Sequence, residues 1–172
     1  DVVRKTPIAR DAKLTSVMTW NYFKGPLELD GVSYDSKVSE FEKFRKLPSR
    51  SPIPIELAVS GDKYDPEKIR ADGWTFVPAK SVSLTPENYQ DYIARSAGEW
   101  SIAKNVYVAT RSGWFSCRTA CYLAAGRPAV VQDTGWSRYL PSGAGVWAFD
   151  SMSNCVDALE QLARNPAKAQ AS

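Results

Sequence analysis

The chain contains no histidine, and this absence removes several kinds of active site. A zinc centre of the common type would lack its imidazole ligands, and a cysteine nucleophile would lack the base that usually activates it. The three cysteines, Cys117, Cys121 and Cys155, form an odd number, which disfavours a disulfide framework. We therefore expect no metal site, and three reduced thiols in a cytoplasmic protein.

Long apolar runs and dense basic blocks are also absent. No apolar run approaches the roughly 18 residues that a membrane-spanning helix needs, so the sequence predicts no membrane span. The net charge of +3 is small and the basic residues are scattered, so we expect no nucleic-acid partner. The first 13 residues have no apolar core of the signal-peptide kind. The chain begins with Asp1 rather than Met, which suggests a piece of a longer protein.

Three widespread motifs are missing. The segment after the first predicted strand contains no G-x-G-x-x-G, which disfavours an NAD-dependent dehydrogenase. The chain also has no P-loop and no G-x-S-x-G, the turn that carries the nucleophile in many hydrolases.

The residues that are present alternate between strand-like and helix-like patterns with short connectors. This alternation predicts an α/β protein, with a mainly parallel, Rossmann-like sheet covered by helices on both faces. Residues 1–13 are interpreted as a lead-in segment, 14–164 as a single domain and 165–172 as a tail. Strands are predicted at residues 14–20, 55–59, 74–78, 106–109, 129–131 and 145–149; helices at 36–47, 65–71, 85–97, 115–125 and from Ser151 onward; and a loop or small hairpin at 21–34.

The segment 110–137 organises this prediction. An apolar strand is expected just before it, a helix at 115–125 is closed by Gly126, and a short strand then runs into a polar tip at 132–135. The carboxyl ends of parallel strands share one edge of the sheet, where ligands bind. We therefore expect 110–116 and 132–137 to meet there, with the amides at the start of the helix suited to a phosphate.

This segment resembles the C-terminal, donor-binding half of glycosyltransferases that have two facing Rossmann-like domains, the GT-B fold. The resemblance implies a nucleotide-sugar donor, no separate cofactor, and a partner, the N-terminal acceptor-binding domain, that this chain does not contain. It covers residues 105–162 and is carried by GWFS at 113–116, LAAGRP at 123–128, VV at 130–131, DTG at 133–135 and LPSGAG at 140–145.

The chain departs from the retaining members of that family at two glutamates, whose places are taken here by Gly113 and Cys121. We therefore leave the catalytic residues unassigned and expect the isolated domain not to turn over. The family also has an Arg and a Lys near the first strand that hold the diphosphate, and the one counterpart here is Lys24. The donor-binding candidates are Lys24, Lys104, Arg111, Ser112, Gly113, Ser116, Arg118, Asp133, Thr134 and Gly135.

Several of these residues have a second interpretation. Arg118 either neutralises a diphosphate or is a solvated or internally paired arginine. Asp133 either contacts a sugar hydroxyl or forms the turn in which it lies. Trp114 and Trp136 either make an aromatic wall for a ligand or pack against the absent domain.

Two other functions stay open at this point. The first is a degenerate, non-catalytic GT-B-like domain that serves for interaction or ligand binding. The second is a different α/β ligand-binding domain that shares only the Rossmann topology. A basic pocket at the sheet edge between Ser112 and Trp136 would favour a nucleotide sugar, whereas a flat apolar edge would favour an interface.

Overall fold

A computed structural model describes residues 7–20, 25–61, 64–143 and 145–164, and a parallel sheet lies at its centre. The strands of these ranges are β1 (Leu14–Thr19), β2 (Leu27–Leu29), β3 (Val32–Tyr34), β4 (Ile55–Ser60), β5 (Thr75–Pro78), β6 (Gly98–Ser101), β7 (Ala129–Gln132) and β8 (Val146–Phe149). The helices are α1 (Lys37–Lys43), α2 (Pro66–Arg70), α3 (Ala79–Ser83), α4 (Pro86–Arg95), α5 (Asn105–Ala109), α6 (Cys117–Ala124) and α7 (Met152–Arg164), with 3₁₀ turns at Leu47–Ser49 and Trp136–Arg138.

The order of the strands defines where a ligand would bind. The sheet runs β5-β4-β1-β6-β7-β8, every pair is parallel, and helices flank it. Counted along the chain, the sheet strands stand in the order 3-2-1-4-5-6, which is the Rossmann order. This confirms the predicted fold class. The strand order reverses between β1 and β6, so the crevice beyond the carboxyl ends of these strands is the expected ligand position.

Aromatic side chains fill the core on one side of the sheet. Trp100 of β6 is completely buried, and its ring centroid lies 5.1 Å from that of Trp74. Phe44, after α1, packs edge-on against Phe149 of β8 with centroids 5.0 Å apart. Phe44 and Phe149 also lie against Trp100, with centroid distances of 6.4 Å and 6.2 Å, and so join α1 and β8 to β6. Edge-to-face aromatic pairs add to the free energy of area burial.

The prediction of a strand at 106–109 is wrong. These residues belong to the short helix α5, and the fourth strand of the sheet is β6, just before it. A four-residue apolar run fits a strand or a helix equally well, so periodicity does not decide between them. The strand that the structure shows has the sequence GEWS. Its glutamate is charged, and a charge disfavours a buried strand unless a cation that pairs with it is known.

The predicted helix at 115–125 is confirmed in shorter form as α6. Ser116 caps its start by accepting a hydrogen bond from the Arg118 amide at 3.3 Å. Its end is a Schellman motif, in which the Gly126 amide donates to the Leu123 carbonyl and the Arg127 amide donates to the Tyr122 carbonyl. Gly126 has φ of +68°, which only glycine adopts without strain.

The other predicted elements are present, with ends shifted by a few residues. The hairpin alternative for 21–34 is confirmed by the antiparallel pair β2–β3, whereas α3 was not predicted. Residues 1–6 of the lead-in and the tail at 165–172 lie outside the described residues. In the ranges that the structure describes, no helix has the length and apolar character needed to cross a membrane.

The close packing of β6 leads to a stability prediction at Gly98. A Cβ atom there would lie 2.5 Å from the Pro128 carbonyl oxygen, a backbone atom that cannot move without disturbing β7. We expect Gly98→Ala to lower the free energy of unfolding by about 1–3 kcal/mol in chemical denaturation. Gly25→Ala is the matched control, because its Cβ would meet nothing within 4 Å. Equal denaturation midpoints for the two variants would contradict this packing.

Candidate functional site

A cavity of about 250 Å³ opens at the carboxyl ends of β6 and β7, beside the reversal of strand order. The first residues of α1 and α6 and the segment that joins β6 to α5 surround it. Its lining residues are Lys37, Ser101, Ile102, Ala103, Lys104, Tyr107, Trp114, Ser116, Arg118, Val131 and Gln132.

Two further depressions adjoin this cavity and share its cations. One of about 170 Å³ lies between Trp20 at the end of β1 and the two lysines Lys37 and Lys104. The other, of about 570 Å³, is more open and lies between Tyr89 of α4 and Arg118. The three spaces together follow the edge of the sheet where the Rossmann order places a ligand.

Arg118 is held by internal contacts. Its guanidinium forms an ion pair with Glu99, donates to the Val17 carbonyl at 2.6 Å and donates to the Ser101 hydroxyl. Glu99 is completely buried in β6, and its second carboxylate oxygen has no hydrogen-bond partner in the described part of the chain. The alternative of an internally paired arginine is therefore observed, although Arg118 still lines the cavity.

Lys37 is the first residue of α1. It lines the cavity of about 250 Å³ and the adjoining depression of about 170 Å³. Burial, and after it the charge of Arg118, lowers the pKa of its amine to about 7; the charge of Glu99 opposes this shift, and Lys104 adds the smallest lowering effect. The amine of Lys37 therefore gives up its proton at a much lower pH than an exposed lysine does. Among the described residues that line the cavity, Lys37 is the one whose lowered pKa lies near neutral pH.

Lys104 adjoins an aromatic pair. Its ammonium lies 5.8 Å from the centroid of the Tyr107 ring, and this ring stacks on Trp114 with a centroid distance of 4.9 Å and an interplanar angle of 19°. Trp114 remains 46% exposed, so it has a free face at the mouth of the cavity. Trp136, by contrast, is buried in the core and donates to the Gln132 carbonyl, so it forms no wall for a ligand here.

A buried polar network fixes the position of α1 relative to the cavity. The Glu40 carboxylate is completely buried and accepts from Gln132 at 2.6 Å, from Asn105 at 2.8 Å and from Lys43 at 2.7 Å. The Gln132 side chain in turn accepts from the Ala103 amide at 3.0 Å. This network joins α1, the start of α5 and the end of β7, and so holds the elements that carry Lys37 and Lys104.

The loops at 110–114 and 133–137 bind to each other. The Thr134 hydroxyl is buried and donates to the Trp114 carbonyl at 2.7 Å, while the Gly113 amide donates to the Thr134 carbonyl at 2.8 Å. Gly135 has φ of +96°, and a Cβ atom on it would lie 3.0 Å from the Arg111 carbonyl oxygen. Thr134, Gly113 and Gly135 thus determine the shape of the cavity wall.

Asp133 serves as a turn former in this loop pair. Its carboxylate accepts from the Gly135 amide at 2.8 Å and from the Ser137 hydroxyl at 2.9 Å. The Arg111 guanidinium lies 3.7 Å from the same carboxylate and is half exposed. Ser112 accepts from the Trp114 amide at 3.3 Å. These three side chains support the loops and are not among the residues that line the cavity.

The ten sequence candidates thus divide into groups. Lys104, Ser116 and Arg118 line the cavity, and Lys24 lies outside the described residues. The remaining six candidates form the adjacent loop pair: Arg111, Ser112, Gly113, Asp133, Thr134 and Gly135.

Sequence reasoning missed Lys37. A signal for it existed, because the helix that follows the first strand of a Rossmann sheet begins at the ligand-binding edge. The capping serine Ser36, which accepts from the Val38 amide at 3.4 Å, marks that helix start in the sequence.

The charges in the cavity have one sign. Three basic residues line it, and none of its described lining residues is an aspartate, a glutamate or a cysteine. Within the described ranges, no cluster of three or more acidic or cysteine side chains could hold a metal ion. The arrangement can therefore bind an anion and stabilise negative charge, and it offers no carboxylate as a general base.

The buried ion pair yields a stability prediction. Arg118→Met would leave Glu99 charged and buried without its cation, so we expect a loss of about 3–5 kcal/mol in the free energy of unfolding. The double variant Glu99→Met with Arg118→Met should recover much of that loss, because it leaves no unpaired charge. Urea denaturation of the single and double variants checks this. Additive losses in the double variant would contradict an energetic coupling between the two side chains.

Comparison of the sequence with protein-family models finds no matching family. Comparison with curated proteins finds no significant match either.

Proposed function

We propose that this chain is the nucleotide-sugar-binding domain of a glycosyltransferase, the donor half of a GT-B enzyme. Glycosyl transfer would take place in a cleft against an acceptor-binding domain, which would supply part of the catalytic groups. The cytoplasmic location stays a prediction that belongs to this proposal.

The observation that carries the proposal is the group of three cations at the reversal of strand order. Lys37, Lys104 and Arg118 line one cavity, with no acidic side chain among its described lining residues. A diphosphate carries two negative charges and several acceptor oxygens, so it suits a site with more than one cation. It is also the leaving group of glycosyl transfer, and fixed positive charge would stabilise it as its own charge develops.

The remaining cavity lining supports a ligand that has both rings and hydroxyl groups. The stacked pair of Tyr107 and Trp114 offers an apolar face for a nucleobase or a sugar ring. Ser101, Ser116 and Gln132 add polar side chains beside it. Most small-molecule sites combine aromatic walls with a few polar groups in this way.

No carboxylate stands among the described residues that line the cavity, and this also favours a second candidate, a non-catalytic ligand-binding module. Gly113 and Cys121 occupy the places of the two family glutamates, and Gly113 forms part of the loop pair. Such a module would bind the same class of anion without transferring a sugar. Binding and turnover must therefore be measured separately.

The test of donor binding is an amide NMR titration of the chain with UDP, GDP and ADP. We expect saturable shifts from one nucleotide at Lys37, Lys104 and Arg118, and a dissociation constant that rises about tenfold in Lys104→Met, because a hydrogen bond to a charged group is lost. Lys68→Met makes the same charge change on an exposed side chain of α2, remote from the cavity lining, and should bind as the parent does.

Two results would contradict donor binding. One is the absence of saturable shifts with all three nucleotides. The other is equal weakening by the Lys104 and Lys68 variants, which would mean that the anion is attracted only by net charge. Nucleotide binding by the chain, combined with no transferase activity in a full two-domain protein, would select the non-catalytic candidate.

A further inference from the structure

Lys37 lies among charges that leave its amine without an anionic partner. Arg118 faces it from α6 and Lys104 from the start of α5, and both charges disfavour its protonation. The carboxylate that faces it from β6, Glu99, is already paired with Arg118. On its own helix, Glu40 is engaged by Lys43 and by the amides of Asn105 and Gln132.

Burial and the charge of Arg118 act in the same direction on this amine and outweigh the opposing charge of Glu99, so its pKa falls to about 7. An anion in the cavity would reverse the second effect, because it would attract the protonated form and offset the charges of Arg118 and Lys104. The protonated state would then become favourable at a pH at which the empty site prefers the neutral amine.

We infer that Lys37 takes up a proton when an anionic ligand enters this cavity, so that ligand affinity depends on pH. For the ligand class this inference rests on the proposed function, in which the anion is the diphosphate of a nucleotide sugar. Below about pH 6 the empty site already carries the proton, and affinity is highest and nearly constant. Above pH 7 each ligand must bring a proton from solution, and affinity falls by up to about tenfold per pH unit.

Neither an imidazole nor the phenol of Tyr89 accounts for such a change. The chain contains no histidine. Burial raises the pKa of Tyr89, which faces Arg118 from α4, to about 12. The ligand does not account for it either, because the diphosphate diester of a nucleotide sugar and the sulfate ion both keep two negative charges from pH 6 to pH 9.

Isothermal titration calorimetry between pH 6.5 and pH 8.5 tests the inference, with UDP-, GDP- and ADP-glucose and inorganic sulfate as ligands. HEPES and Tris differ in ionisation enthalpy, so paired titrations at pH 8 count the protons exchanged. We expect affinity to fall about tenfold across this range, with uptake of roughly half a proton or more per ligand at pH 8.

Variants assign the proton to Lys37. Lys37→Met should weaken binding at pH 6.5 and abolish the pH dependence. Lys37→Arg keeps its charge at every pH tested, so it should bind at pH 8.5 as it binds at pH 6.5. Lys68→Met on the exposed surface of α2 should retain the pH dependence of the parent chain, and circular dichroism confirms that each variant is folded.

The outcomes separate this inference from the proposed function. A nucleotide sugar that binds with constant affinity and without proton uptake, or pH dependence that persists in Lys37→Met, overturns the inference and leaves the proposed function standing. Sulfate binding with proton uptake, together with no binding of any nucleotide sugar, supports the inference and overturns the proposed function. Absence of binding by both ligands overturns both.

Discussion

The buried ion pair between Glu99 and Arg118 is the constraint on which the site depends. Glu99 lies in the middle of the sheet and is completely buried, so its charge requires a cation within the protein. Arg118 supplies that cation from the first turn of α6 and also donates to the Val17 carbonyl of β1. The pair thus joins α6 to the two strands between which the strand order reverses. It also places the Arg118 guanidinium, paired with Glu99, between the adjoining cavities.

A second carboxylate, that of Glu40, is also completely buried and has its own partners within the protein. Glu40 lies on the same helix as Lys37, but its carboxylate is already engaged by Lys43, Asn105 and Gln132. It therefore does not neutralise Lys37. Both buried carboxylates therefore stabilise the fold, and the cavity is left with basic side chains and no acidic lining residue in the described ranges. An anionic ligand would add a negative charge beside these basic side chains. The proposed function and the proposed proton uptake at Lys37 both rest on this basic lining.

The sequence predicts the fold better than it predicts the site. Alternation of patterns, the cap at Ser116 and the stop at Gly126 were enough for the α/β class and for α6, since these signals are local. The strand β6 was missed because its glutamate is neutralised by an arginine 19 residues later in the chain. Lys37 was missed for a related reason: the cap at Ser36 marks its helix start, but only the strand order brings that helix start to the same cavity as the start of α6. The two interpretations of Arg118 could be separated only by its contact with Glu99.

A crystal structure of the chain with the nucleoside diphosphate that it binds would show whether the anion occupies the basic cavity. We expect diphosphate oxygens in the cavity at the reversal of strand order, about 3 Å from the amines of Lys37 and Lys104. A diphosphate bound at another surface would contradict it. So would a diphosphate in the cavity that lies beyond hydrogen-bond distance of both lysines.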